Sequence, residues 1–62
     1  MDKDIIIEVA FSNRKFRIDY DNRTDTYELM EVCTHYDYLI ETGDIFTVAN
    51  RVLEIYENSI ID

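Results

Sequence analysis

The sequence predicts a small α+β domain in which an antiparallel β-hairpin is followed by two helices, a β-β-α-α order. Three patterns carry this. Two period-two segments are separated by a short polar break, an apolar series at helical spacing follows, and an amphipathic stretch closes the chain.

The hairpin comes first. Residues 4–12 alternate, with Ile5, Ile7, Val9 and Phe11 on one face and Ile6, Glu8, Ala10 and Ser12 on the other. Residues 15–21 repeat the pattern, with Phe16, Ile18 and Tyr20 against Lys15, Arg17, Asp19 and Asp21. Between them lies Ser12-Asn13-Arg14-Lys15, and Asn tolerates the left-handed conformation of tight hairpin turns. An Asn13-Arg14 loop opposes residues 11 and 16, 9 and 18, and 7 and 20. Ile6 and Ala10, on the nominally outer face, suggest a strand covered on both sides, as in a dimer that completes a four-stranded sheet.

Residues 26–42 read as a helix. Leu29, Val32, Cys33, Tyr36, Leu39 and Ile40 fall on one face at about 100° per residue. Asp25 and Glu28 have capping-box spacing, and Gly43 sits where a helix C-cap favours glycine. Against this, Thr26, Val32, Thr34 and three tyrosines are middling helix formers. The alternative is a third antiparallel strand with a single C-terminal helix. Residues 45–58 are clearer. Asp44 is placed to cap the start. Ile45, Phe46, Val48, Ala49, Val52, Leu53, Ile55 and Tyr56 fill one half of the wheel, and polar residues fill the other. The tail Ser59-Ile60-Ile61-Asp62 extends or ends this helix.

Size and composition bound the function. Sixty-two residues make one domain, 1–62, and 47% hydrophobic residues with eight aromatics argue against disorder. Such small cores usually need a disulfide, a metal or a second copy. Cys33 is the single cysteine, which excludes an internal disulfide and leaves a homodimer as the expected support. The start of the chain has no basic flank and apolar stretch of the kind that exports proteins. The longest apolar run, Ile5-Ile6-Ile7, is far short of the roughly 20 residues of a membrane span. A cytoplasmic protein is expected.

Charge is the most informative quantity. Fourteen acids against six bases give −8. Residues 1–23 balance five acids with five bases, whereas residues 24–62 hold nine acids and one base, Arg51. Direct binding to nucleic acid is disfavoured, because it rests on Lys and Arg releasing counterions. A partner with a basic surface is favoured.

No catalytic constellation is expected. Cys33 and His35, two apart, would point to opposite sides of a helix. Zinc needs three or four Cys or His ligands, and the chain holds one of each. Asp19–Asp25 fails the calcium-loop pattern at Arg23, Thr24 and Met30. Near absence of glycine excludes a phosphate loop. Neither an enzyme activity nor a cofactor is expected.

What remains is the outer side of the expected first helix. Tyr27, Glu31, Thr34, Tyr38 and Glu41 lie there, flanked by Glu28, Met30 and Asp37. Tyr and Met are enriched at interface cores, so these eight residues are the candidate partner-binding face. Carboxylates about 5–6 Å apart along a helix give a phosphate-like line of charge. The expected function is therefore a non-enzymatic inhibitor that blocks a basic, nucleic-acid-binding site on another protein. In size and acidity the chain resembles small phage-encoded inhibitors, such as anti-CRISPR proteins, uracil-DNA glycosylase inhibitors and DNA mimics. That resemblance implies a viral or mobile-element protein and assigns no role to any residue. The alternative is a small regulatory or antitoxin-like dimer that pairs a strand edge or a helix with a specific partner.

Overall fold

In the computed structural model, which describes residues 3–61, four strands precede one helix. They are β1 (Lys3–Phe11), β2 (Arg14–Asp21), β3 (Thr26–Val32), β4 (Asp37–Gly43) and α1 (Ile45–Ile61). The strands form an antiparallel meander in the order β1-β2-β3-β4. The four-stranded sheet expected from a dimer is thus built within one chain.

The first hairpin forms with its loop at Ser12-Asn13 instead of Asn13-Arg14. Both residues take positive φ, 52° and 61°, the mirror-image turn whose twist matches paired strands. Phe11 then opposes Arg14, Val9 opposes Phe16 and Ile7 opposes Ile18. This register differs from the expected one by two residues, an even step, so Ile7, Val9 and Phe11 stay on one face with Phe16 and Ile18. Ile5, expected beside them, instead pairs with Asp19 on the outer face. A bulge between Ile5 and Ile7 makes Ile6 the extra residue of β1.

The helix expected over 26–42 does not form. That stretch is β3, a turn and β4, so the single C-terminal helix of the alternative layout holds, with a fourth strand in addition. Thr26, Tyr27, Val32, Thr34, Tyr36 and Tyr38 are β-branched or aromatic, the residues a half-buried pleated surface accommodates best. Their alternation was masked in two ways. Met30 and Val32 lie on the outer face of the sheet, where polar residues were looked for. A bulge in β4 leaves Ile40 as an extra residue that packs against the core. The supposed caps have other duties. Asp25 sits in the β2–β3 turn at φ 55° and accepts a 2.6 Å hydrogen bond from the Tyr20 hydroxyl. Gly43 ends β4 at φ 152°, a conformation L-residues rarely adopt.

α1 begins as expected. The Thr47 N–H donates to Asp44 Oδ1 at 2.8 Å and the Val48 N–H to the Asp44 carbonyl at 3.2 Å. That backbone donor holds the Asp44 carboxyl below its ordinary pKa. The helix continues through Ile61, and Asp62 lies outside the described residues.

α1 lies across β3 and β4. Phe16, Ile18, Leu29, Val48 and Ile55 form the buried core, with Phe11, Tyr27, Ile40, Ile45 and Val52 packed at its margin. The helix is too narrow to cover the whole sheet, so β1 remains the exposed end of the meander.

Candidate partner-binding surface

The eight residues expected to share a helical face are divided between two faces of the sheet and a turn. Ladder partners share a face. Tyr27 and Glu31 stand with buried Leu29 on the helix side, and Tyr38 and Glu41 oppose Glu31 and Leu29 there. Glu28, Met30 and Asp37 stand on the outer side, and Thr34 is exposed in the β3–β4 turn. Tyr27 packs on the core and against Tyr20, ring centroids 5.0 Å apart. Tyr38 is exposed, and its ring meets Tyr36 edge-on at 4.8 Å. Their hydroxyls are 2.6 Å apart, and this hydrogen bond raises the pKa of Tyr36.

Most of these carboxylates are engaged within the molecule. Arg14 meets Glu31 through two parallel hydrogen bonds of 2.9 and 2.8 Å, which hold the Glu31 carboxyl below its usual pKa. Lys3 Nζ lies 2.8 Å from Glu28. Arg17 Nε bonds Asp19 at 3.1 Å, and its Nη1 bonds Asp37 at 2.7 Å. Lys15 lies 3.8 Å from Glu8, and Arg23 lies 3.5 Å from Asp21. Arg51 bonds Glu54 and approaches Glu41 at 4.0 Å. All six basic side chains therefore face carboxylates, and eight of the twelve acids among the described residues are met in this way. Asp21 is buried, and its carboxyl is held below its ordinary pKa chiefly by the Arg23 backbone N–H at 3.0 Å.

An open groove of about 510 Å³ runs between the second half of α1 and the β3–β4 end of the sheet. Arg14, Glu31, Tyr38 and Arg51 contribute its polar wall, and Ile40 and Ile55 its floor. Both arginines are already committed to carboxylates, so the groove offers an incoming anion no unoccupied donor fork. Cys33 is half-buried, its Sγ 3.8 Å from the Glu31 carbonyl, and His35 is exposed in the following turn. Among the described residues no three His, Cys, Asp or Glu side chains are grouped to hold a metal ion. No helix among them is long and apolar enough to cross a membrane.

Two surfaces stand out that the expected site did not include. One is the free edge of β1, with six of its nine residues exposed in succession from Lys3 through Glu8. The other is the flank of α1 that faces away from β4, where Phe46, Leu53, Tyr56 and Ile60 are exposed. Their signals are in the sequence. Ile5-Ile6-Ile7 puts apolar residues on both faces of one strand, and the apolar half-wheel of 45–56 is wider than one sheet contact needs.

The chain matches no known family model, no curated protein and no solved structure.

Proposed function

We propose that the protein is a non-enzymatic cytoplasmic regulator, of the small antitoxin-like kind, that binds a partner protein by adding an extended segment of it to the free edge of β1. The observation that carries this reading is the state of that edge. β1 is nine residues long, largely exposed, and carries the run Ile5-Ile6-Ile7. Proteins ordinarily blunt such an edge with charge, proline, a bulge or a covering element. Here the bulge at Ile6 and the charges of Lys3, Asp4 and Glu8 guard it in part, but the run Ile5-Ile6-Ile7 between those charges stays exposed. β4, at the other edge, carries Asp37 and Glu41, has its own bulge and lies beside α1. A partner strand on β1 gains main-chain hydrogen bonds for affinity, and alternate side chains on either face give specificity.

Blockade of a basic site by an acidic decoy draws less support. The carboxylates that were to form a line of negative charge lie on different faces, and Glu28, Glu31, Asp37 and Glu41 all face a Lys or Arg of the chain itself. The test is affinity capture from the source cell with the wild type, Ile6→Lys and Tyr38→Ala, each checked for folding by circular dichroism. Edge pairing predicts that Ile6→Lys loses the captured protein, that Tyr38→Ala keeps it, and that the complex survives high salt. Capture retained by Ile6→Lys but abolished by salt, or by reversing Glu31 and Glu41 to Lys, would overturn this reading in favour of the decoy.

A further inference from the structure

We infer that the exposed flank of α1, together with the helix-side face of β1, is a dimer interface whose occupant is a second copy of this chain. The inference is independent of what the β1 edge binds.

The flank is built at coiled-coil spacing. Phe46, Ala49, Leu53, Tyr56 and Ile60 fall at i, i+3, i+7, i+10 and i+14, the a/d repeat that keeps a seam facing a neighbouring helix. The positions packed on the core are Ile45, Val48, Val52 and Ile55, and of the flank residues Tyr56 also reaches the sheet, at Phe11. At about 100° per residue the arc from Ile45 round to Phe46 holds no charged side chain. In a chain carrying −8 that is an unusual arc to present to water.

The flank continues onto bare sheet. Tyr56 meets Phe11 of β1 edge-on, centroids 5.3 Å apart and planes at 89°. Beyond Phe11 the same face of β1 carries Val9, partly buried, and Ile7, 48% exposed. The surface is thus a step with an apolar helical ridge beside an apolar strand floor. A two-fold interface must be self-complementary, and a ridge beside a floor is. Each copy's helix lies on its partner's β1 while the two ridges meet, and Ala49 provides room for close approach.

The area suffices for a closed dimer. Phe46, Leu53, Tyr56, Ile60 and Ile7 are 76, 57, 44, 60 and 48% exposed. At about 200 Å² for a large side chain these fractions expose roughly 570 Å² per copy. That is near the upper end of the largest apolar patch on an ordinary monomer. Doubled, it passes the roughly 1,000 Å² a specific interface needs before any polar rim is added. The chain also has no other support of the kind small domains require, with one cysteine and no metal-ligand cluster among the described residues.

Sedimentation equilibrium tests the inference. The wild type should run at twice its 7.4 kDa monomer mass at tens of micromolar. Because both copies are acidic, the dimer should tighten as salt rises from roughly 0.01 to 0.5 M, as repulsion is screened. Phe46→Ser and Leu53→Ser should each raise the dimer dissociation constant at least tenfold. Phe46 is the most exposed of the large apolar residues, so its replacement leaves the monomer fold intact by circular dichroism. Ile6→Lys, which blocks the β1 edge, should leave the dimer in place. The inference falls if the wild type stays at 7.4 kDa up to millimolar concentration, or if its mass keeps growing with concentration. It also falls if Ile6→Lys is the variant that yields monomers, since the copies then pair edge to edge.

Discussion

Two leucines on neighbouring strands separate the observed sheet from the helix that the spacing of residues 29–40 suggests. On such a helix Leu29 and Leu39 face inward together, and truncating either one opens the core. In the sheet Leu29 is 0% exposed and Leu39 is 55% exposed on the opposite face. Leu29→Ala should therefore cost about 2–5 kcal/mol, combining lost transfer energy with the cavity left between Phe16, Ile18 and Val48. A domain of this size has roughly 3–9 kcal/mol of total stability, so the variant should be partly unfolded at room temperature or melt tens of degrees lower. Leu39→Ala should stay within about 0.5 kcal/mol. Urea unfolding followed by far-ultraviolet circular dichroism at fixed protein concentration reads both. Equal losses at the two positions would refute the register of β3 and β4.

Other substitutions probe the turns, the cap and the ion pairs. Gly43→Ala forces a side chain onto a backbone at φ 152°, with its Cβ 3.4 Å from Thr47. It should lower the melting temperature measurably, and an unchanged melt would show that the β4–α1 corner relaxes. Asp44→Ala should lower it too while Asp44→Asn largely preserves it, because both side chains offer an oxygen to the Thr47 N–H. Glu31→Gln should cost at most about 0.2–1 kcal/mol, since the pair with Arg14 is half open to solvent. Its pH dependence has a definite sign. The folded pKa of Glu31 is depressed by Arg14, so the pair's contribution is present above the unfolded value and disappears as pH falls through the folded one. Denaturation curves of wild type and variant should differ at pH 7 and converge in acid; divergence in acid would show that Arg14 does not stabilise the carboxylate.

The parts of the fold legible from sequence are those where one face is apolar and the other polar. β2 shows this plainly, with Phe16 and Ile18 buried while Lys15 is exposed and Arg17 lies on the outer face. α1 shows it through its capped start and its polar half-wheel. β3 and β4 do not show it, because the sheet has one helix on one face only. Met30, Val32 and Leu39 therefore remain on an uncovered outer surface, where polar residues usually mark a strand's solvent side. With the β4 bulge, their positions mimic helical spacing over a dozen residues. The site suffered from the same error. Tyr27, Glu31 and Tyr38 gather on one helical face only if the stretch is a helix, whereas in the sheet Tyr27 packs on the core and Glu31 is joined to Arg14. No local signal marks a long-range pair such as Arg14–Glu31, which depends on β2 and β3 being neighbours.

The distribution of charge gives the two exposed surfaces their character. Each base faces an acid within the chain, and the excess negative charge repels other copies. A long apolar edge strand and a charge-free helical ridge on a neutral chain would associate with little selectivity. On a chain of −8 an approach must bury enough apolar surface to overcome like-charge repulsion. Partial or misregistered contacts fail that condition, while the full flank-to-flank fit meets it. A partner strand of opposite or no charge along β1 meets it from the first contact. Net acidity therefore acts as a filter on association: it opposes pairing with a second copy, which salt strengthens, and leaves the main-chain and apolar contacts of a partner strand along β1 largely indifferent to salt.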